Sequence, residues 1–336
     1  MSNEVYIVTG AAGLLGSNIV KELAEEGKEV RAFVLPKDPA AQHIDNRVKI
    51  IEGDITKPED LEKLFDGCLS RTVYVIHSAS IVTLAPDYSE IVYRVNVEGT
   101  KNMIDKCIEY GAAKMIYVSS TSAIPELLGN KSIQEVSSFS PDGLVGYYAQ
   151  SKAMATQLVV DALEEEPNFD ACIVHPSGIC GPNDYSFGPV AEFLLDYGQG
   201  KMSMGIEGTF NSVDVRDLAS AIITATQKGI RGSSYILSNE LVTMEQMFNL
   251  VNQAAGYTYS PKILSAKTAK RVARFTEKWA KITKKPARLT SFAVYNLTRN
   301  NNFDSSKAKE ELGFRTRPFA ETIQDEMVWL KAEGKL

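Results

Sequence analysis

The chain has 336 residues, enough for one large domain or two modest ones with a sizeable core. Its composition is that of an ordinary globular protein, and a net charge of -6 without a long basic run argues against nucleic acid as a partner. No apolar run approaches ~18 residues, so no membrane span is expected, and the N-terminus enters a strand at once without a signal-peptide pattern.

Val5 to Val8 is apolar and rich in β-branched residues, the pattern of a strand covered on both faces. It breaks at Thr9-Gly10, and Gly13 and Gly16 follow at three-residue intervals before Ile19, Val20, Leu23 and Ala24 recur at helical spacing. Strand, glycine turn and helix together form the context for dinucleotide binding. The glycines let backbone approach a pyrophosphate, and the helix N-terminus offers unpaired N–H groups. The spacing is G-x-x-G-x-x-G rather than G-x-G-x-x-G, and an ordinary glycine-rich turn is the alternative.

Val30 to Leu35 reads as a second strand, Val48 to Ile51 as a third, and Leu61, Leu64 and Phe65 mark a helix entered through Pro58. Val73 to His77 is a fourth strand. A long helix from about Tyr88 to Tyr110 follows, stopped at Gly111, and Met115 to Val118 is the fifth strand. Pro125 to Gly146 is polar and aperiodic, a surface excursion. Ala149 to Glu166 is a strong helix and Ala171 to Val174 a sixth strand. This βα alternation implies a Rossmann-type, doubly wound parallel sheet over residues 1–175, with a smaller, mainly helical substrate-binding part over 176–336. Val213 to Val215 and Tyr235 to Leu237 are short strands, and the stretch near 213–240 is a candidate to rejoin the main sheet. Asp217 reads as a helix N-cap.

Cys68, Cys107, Cys172 and Cys180 form no C-x-x-C pair and read as reduced thiols of a cytoplasmic protein. His43, His77 and His175 have no partners at metal-ligand spacing, so no metal site is expected, and the two strand-ending histidines read as structural. The densest basic stretch, Lys262 to Arg288, is interleaved with Ile263, Leu264, Val272, Phe275, Trp279 and Ile282. A membrane-surface helix has that pattern, as does a solvated helix packing one face, the reading taken here.

Tyr148 and Lys152 form Tyr-x-x-x-Lys where a helix opens, so both lie on one face. Tyrosine ordinarily titrates near ~10, and a neighbouring cation stabilises the phenolate. Tyr148 is then suited to give a proton to a carbonyl oxygen or take one from an alcohol, with Ser120, at the end of the fifth strand, bonding the same oxygen. The spacing alone means little, because Tyr110/Lys114 and Tyr197/Lys201 also match it. Neither of those pairs opens a helix.

The chain resembles the extended short-chain dehydrogenases/reductases, near the dihydroflavonol reductase, 3β-hydroxysteroid dehydrogenase and nucleotide-sugar epimerase branches. The resemblance runs through Thr9 to Gly16, Gly53-Asp54-Ile55, Val75 to Ser80, Asn96 to Thr100, Tyr117 to Ser120, Tyr148 to Lys152, and His175 to Ile179 with Gly181-Pro182. It continues in Val213 to Asp217, Phe303 to Ala308 and Glu311 to Phe314. It implies catalytic roles for Ser120, Tyr148 and Lys152, the last also anchoring a ribose. Thr9, Gly10, Ala12, Gly13, Leu14, Leu15 and Gly16 would cradle the cofactor's pyrophosphate, and Asp54 and Ile55 would border its adenine. Ser78, Ala79 and Ser80 would line its middle, with Asn96 and Ser119 close by, and Pro176, Ser177, Gly178 and Ile179 its nicotinamide end. Asp54 also fits a simple turn, and Asn96 a helix-interior hydrogen-bonder.

Cofactor choice falls at the end of the second strand, where an acid bonds a ribose and a basic residue accommodates a 2′-phosphate. Val34 and Leu35 stand where the family carries Asp or Arg. Lys37 suits a phosphate and Asp38 a ribose, and without an acid on the strand end the reading leans to NADP(H), with NAD(H) the alternative. The implied activity is reduction of a carbonyl, or oxidation of a secondary alcohol, of a small molecule. A nucleotide-sugar epimerase or dehydratase that retains its cofactor and a non-catalytic dinucleotide sensor are the alternatives. The expected partners are a small-molecule substrate and, as a candidate assembly, a second copy in a homodimer. No Gly-x-Ser-x-Gly elbow supports a hydrolase.

Overall fold

The computed structural model describes residues 3–127, 129, 131–283 and 289–336. Its first half repeats strand and helix: β1 (Glu4–Thr9), α1 (Leu14–Glu25), β2 (Val30–Val34), β3 (Lys49–Glu52), α2 (Pro58–Phe65) and β4 (Thr72–His77). After β4 come α3 (Glu90–Tyr93), a π-helical segment over Arg94–Glu98, α4 (Gly99–Glu109), β5 (Lys114–Val118), α5 (Tyr147–Glu165) and β6 (Ala171–Pro176). The second half holds β7 (Gly178–Cys180), α6 (Pro189–Gly198), β8 (Met204–Ile206), β9 (Thr209–Asp214), α7 (Val215–Lys228), β10 (Ser234–Leu237), β11 (Leu241–Thr243) and α8 (Met244–Ala255). It ends with β12 (Lys262–Leu264), α9 (Ala266–Thr283), α10 (Ser291–Thr298), α11 (Ser306–Glu311) and α12 (Phe319–Ala332).

Seven parallel strands form the main sheet in the order β10-β6-β5-β4-β1-β2-β3. Both faces are covered, so β1, β2 and β5 are apolar almost throughout and nearly every residue in them is buried. One core layer joins α1 and α7 to the sheet through Ile19, Leu23, Leu218 and Ile222; the other packs Leu61, Met103 and Val159 against the opposite face. The strand order reverses between β1 and β4. Parallel sheets open a ligand crevice at such a point, beyond the carboxyl ends of the strands.

The stretch near 213–240 splits two ways. β10 pairs with β6 and extends the main sheet, whereas β9 joins β7 and β11 in a separate three-stranded sheet. Three local readings change. The long helix expected over 88–110 is divided by the π segment, and the side chain capping α7 is Asp214, whose carboxylate accepts from Arg216 N at 2.8 Å. Asp217 lies in the first turn of α7 and holds Arg317 instead, at 2.7 Å. The excursion before α5 also buries Ile133 and Phe139 in a small core with Ala153 and Ile236; its Leu128 and Asn130 lie outside the described residues.

Candidate active site

At the carboxyl edge of the main sheet, expected site residues follow β1, β2, β3, β4 and β5 and end β6, whereas Asn96 lies in the π segment, Tyr148 and Lys152 on α5, and Gly178 and Ile179 in β7. The loop after β1 is compressed against its neighbours. A Cβ on Gly16 would come within 2.1 Å of the Gly10 carbonyl oxygen, and one on Gly10, at φ +66, within 2.8 Å of Ala79 Cα. Gly13 differs: a Cβ there meets nothing nearer than 3.4 Å. Its missing side chain leaves room above the loop that no packed atom requires. It also precedes α1, which has no side-chain N-cap, so first-turn N–H groups are available to an anion. Ala12 and Leu15 are buried in the core, with Leu14 packed beside them. These features fit the pyrophosphate of a dinucleotide.

Thr9 ties the two strands at the switch point. Its Oγ1 lies 2.7 Å from His77 Nδ1 and accepts from Ala79 N at 3.3 Å, while its carbonyl accepts from Ser78 Oγ at 2.7 Å. The other ring nitrogen of His77 lies 3.1 Å from Thr100 Oγ1, and burial together with the Lys152 charge lowers this histidine to about 3. It is a neutral strut. Ser80 is half-buried beyond these contacts.

At the end of β2, Leu35 and Lys37 are exposed, and Lys37 takes a positive φ of 62. Asp38 accepts from Ala40 N at 2.9 Å and caps the short 3₁₀ turn over Pro39–His43. After β3, Asp54 accepts from Thr56 N and Oγ1 at 2.9 and 2.8 Å, the turn contact that its alternative reading called for. Ile55 is buried, packed so closely over Gly99 that a Cβ there would meet it at 2.7 Å.

Tyr148 sits in the first turn of α5, and Ser120 follows β5 directly. Ser120 Oγ accepts from Ser122 N at 3.1 Å, which leaves its one hydroxyl proton to be donated towards Tyr148 or towards a ligand oxygen. Lys152 lies one helical turn on and is 2 % exposed. Its ammonium donates to Val118 O at 2.6 Å and stands 4.8 Å from the Tyr117 ring centroid. Burial lowers Lys152 to about 7. Burial also raises Tyr148, and the Ser120 bond acts in the opposite sense. Within the chain itself, desolvation is the largest influence on Tyr148 and holds it in the protonated, proton-donating form. In the two other Tyr-x-x-x-Lys pairs, Tyr110 ends α4 while Lys114 starts β5, and Lys201 lies beyond the end of α6.

Supporting contacts surround this centre. Ser119 Oγ lies 2.6 Å from Thr156 Oγ1, which donates to Lys152 O. Asn96, buried in the π segment, accepts from Ile81 N at 2.7 Å and donates to Ile81 O and Ser151 Oγ at 3.1 and 3.0 Å. It thereby links the loop after β4 to the helix carrying Tyr148. Pro176 closes β6, Gly178 and Ile179 lie in β7, and Ser177 Oγ is buried with no partner among the described residues. Such an orphan beside the crevice fits a polar group of a bound cofactor.

Three further residues support the centre; the sequence assigns a structural role to His175 and none to Tyr117 or Phe292. Tyr117 lies beneath the Lys152 ammonium. His175 Nδ1 reaches Ser120 O at 3.2 Å while its ring stacks on Phe139 at 5.2 Å. Phe292 on α10 fills the space over Gly146, where a Cβ would meet it at 2.1 Å. Tyr117 and His175 carry local signals, an aromatic beside the strand-ending serines and a histidine before Pro176, whereas Phe292 carries none. Among the described residues no cluster of three or more His, Cys, Asp or Glu is placed to hold a metal, and no helix is long and apolar enough to cross a membrane.

Residues 7–254 match the 3-beta hydroxysteroid dehydrogenase/isomerase family. Sterol demethylase protein B of Methylococcus capsulatus is 26% identical over 335 residues, 98% of this chain and 99% of that protein. Sterol-4-alpha-carboxylate 3-dehydrogenase, decarboxylating, of Mus musculus is 34% identical over 212 residues, 62% of this chain and 54% of that one. Among solved structures, the crystal structure of gox2253 superposes with a TM-score of 0.85 at 30% identity, covering 99% of each chain.

Proposed function

The chain belongs to the 3-beta hydroxysteroid dehydrogenase/isomerase family and is an NAD(P)-dependent oxidoreductase of the extended short-chain type; on that premise we propose that it interconverts a ketone and a secondary alcohol on a ring-bearing small molecule. The observation that carries this reading is the placement of Ser120 just after β5, Tyr148 in the first turn of α5 and buried Lys152 one turn on, its ammonium held on Val118 O at 2.6 Å, at the same sheet edge as the open Gly13 loop. A bound nicotinamide dinucleotide supplies or accepts the hydride. The first-turn N–H groups of α1 hold the pyrophosphate, and Gly13 permits its approach. Ser120, bonded by Ser122 N, donates its hydroxyl proton to the substrate oxygen and orients it. Tyr148, kept protonated by burial, gives its proton to that oxygen in reduction and receives it in oxidation. The Lys152 ammonium, held on Val118 O, stabilises the negative charge that develops on Tyr148.

The sterol-named relatives support a ring substrate and favour net redox turnover over the epimerase reading, which uses the same three residues. A sensor would have no use for them. NADP(H) is the favoured cofactor: Asp38 is engaged in capping, while Lys37 stands exposed at the strand end. The buried free thiols of Cys68, Cys107, Cys172 and Cys180 support a cytoplasmic setting.

The test is stoichiometric NADPH oxidation across a panel of cyclic ketones, steroid ring ketones included. Turnover with NADPH should exceed that with NADH in kcat/KM, and Lys37→Ala should cut the ratio about tenfold, the scale of one lost charge-assisted phosphate contact. Conversion of a nucleotide sugar without net cofactor change would overturn the redox reading. An unchanged ratio in Lys37→Ala would overturn the cofactor assignment.

A further inference from the structure

Helix α9 packs the wrong way round for an ordinary surface helix. Its small residues face the protein: Ala269 and Ala273 are fully buried against Ile206 and Val294. Its large apolar residues face out, with Phe275 68%, Trp279 59% and Ile282 77% exposed. At helical spacing these three fall within about 60° of one another, and the Phe275 and Trp279 rings stack at 6.5 Å. One face of α9 packs on the protein, as both readings of this stretch require, and alanines rather than Phe275, Trp279 and Ile282 occupy it. Residues 284–288 of the same basic stretch lie outside the described residues.

Charge adds a second feature. Lys267, Arg271, Arg274 and Lys278 are exposed along one flank of the apolar stripe. Glu277, the one acid of the helix, lies on the other side, where it accepts from Ser291 N and Oγ at 2.6 and 2.9 Å. A chain of net charge -6 therefore carries a cationic, aromatic-centred band on this element. Exposed scattered apolar side chains need no explanation; a contiguous stripe bordered by cations does. The element also lies near the candidate site, since Val294 of α10 packs under α9 and Phe292 of the same helix packs on Gly146, at the entry to α5.

We propose that α9 seats the protein on an anionic phospholipid bilayer, with Phe275, Trp279 and Ile282 entering the headgroup boundary and the flanking cations meeting lipid phosphates. The charge complementarity selects this occupant. A second copy docked face to face would set two cationic bands against each other.

The chain has two tryptophans, and Trp329 is in the core at 9% exposure, so a vesicle-induced emission shift reports on Trp279. The full chain is titrated with vesicles of phosphatidylcholine alone and with about 30 mol% phosphatidylglycerol. Co-sedimentation and a blue shift are expected with the anionic vesicles and should weaken sharply in about 1 M NaCl. The triple variant Phe275→Ser, Trp279→Ser, Ile282→Ser should lose at least tenfold in partitioning while melting at the wild-type temperature, because the three side chains are exposed. Failure of the folded wild type to bind anionic vesicles, or equal binding by the folded triple variant, would overturn the proposal. So would self-association, or capture of an acidic protein without vesicle binding, if the triple variant abolished it. None of these readouts depends on turnover, so this proposal and the enzymatic reading fail separately.

Discussion

Gly13 and Gly16 stand three residues apart in one loop and answer to different constraints. At Gly16 the backbone of Gly10 occupies the space a side chain would need; at Gly13 a methyl group makes ordinary contact. Gly13→Ala should therefore fold, with a melting temperature within about 3 °C of wild type, and bind the cofactor at least tenfold more weakly by titration. Gly16→Ala should lose roughly 2 kcal/mol or more, because backbone must move. Unaltered cofactor affinity in Gly13→Ala would reduce the loop to a structural turn. Lys152 sets a second expectation at this scale. Burial lowers it to about 7, so its charge disappears as pH rises through neutrality while Tyr148, raised by burial, keeps its proton. For reduction, kcat/KM should decline above about pH 7, and Lys152→Met should flatten that limb and lower kcat roughly 100-fold. A wild-type profile level to about pH 9 would contradict the role given to Lys152.

Two elements carry buried polar groups that join parts of the fold. The π segment between α3 and α4 turns Asn96 toward the loop after β4 and toward Ser151 on α5. Such bulges recur at functional sites because they re-aim one side chain inside a helix. Helix α12 brings Glu326 against the Gly181 N–H at 3.0 Å, immediately after β7. Burial raises this carboxyl from its ordinary 4.5 to about 8, with Asp184 and Asp214 adding in the same direction and the Gly181 bond opposing them. The folded chain thus holds a proton that the unfolded chain releases above about pH 4.5. The stability tied to that proton is complete below pH 4.5 and is lost as pH climbs through about 8. Thermal melts between about pH 5 and 8 should show a loss of roughly 1–3 kcal/mol, and Glu326→Gln should abolish the slope. A Gln variant with the wild-type slope would assign the dependence elsewhere.

Across the whole molecule, what the sequence reveals depends on how local the determinant is. The buried strands declare themselves, because a parallel sheet leaves no polar alternation in Val5 to Val8 or Met115 to Val118. The meeting of Ser120 with Tyr148 follows from one strand end and the next helix start, both readable locally. Asp214 and Asp217 were not distinguishable in the same way: which one caps α7 depends on where β9 stops, and that is set by pairing with β7 and β11. Phe139 stacking on His175, and Phe292 filling the space above Gly146, join segments far apart in the chain and leave no period to read. In α9 the periodicity was visible and its inward side was not, since Ala269 and Ala273 pack closely where larger residues would be expected.

The proton transfer assigned to Tyr148 is tested most directly by Tyr148→Phe, which removes one hydroxyl and keeps the ring. Cofactor affinity, followed by fluorescence titration, should stay within about threefold of wild type, while turnover of the best ketone falls at least 100-fold, the usual share of a general acid. Turnover within about tenfold of wild type, with cofactor binding intact, would remove Tyr148 from the chemistry.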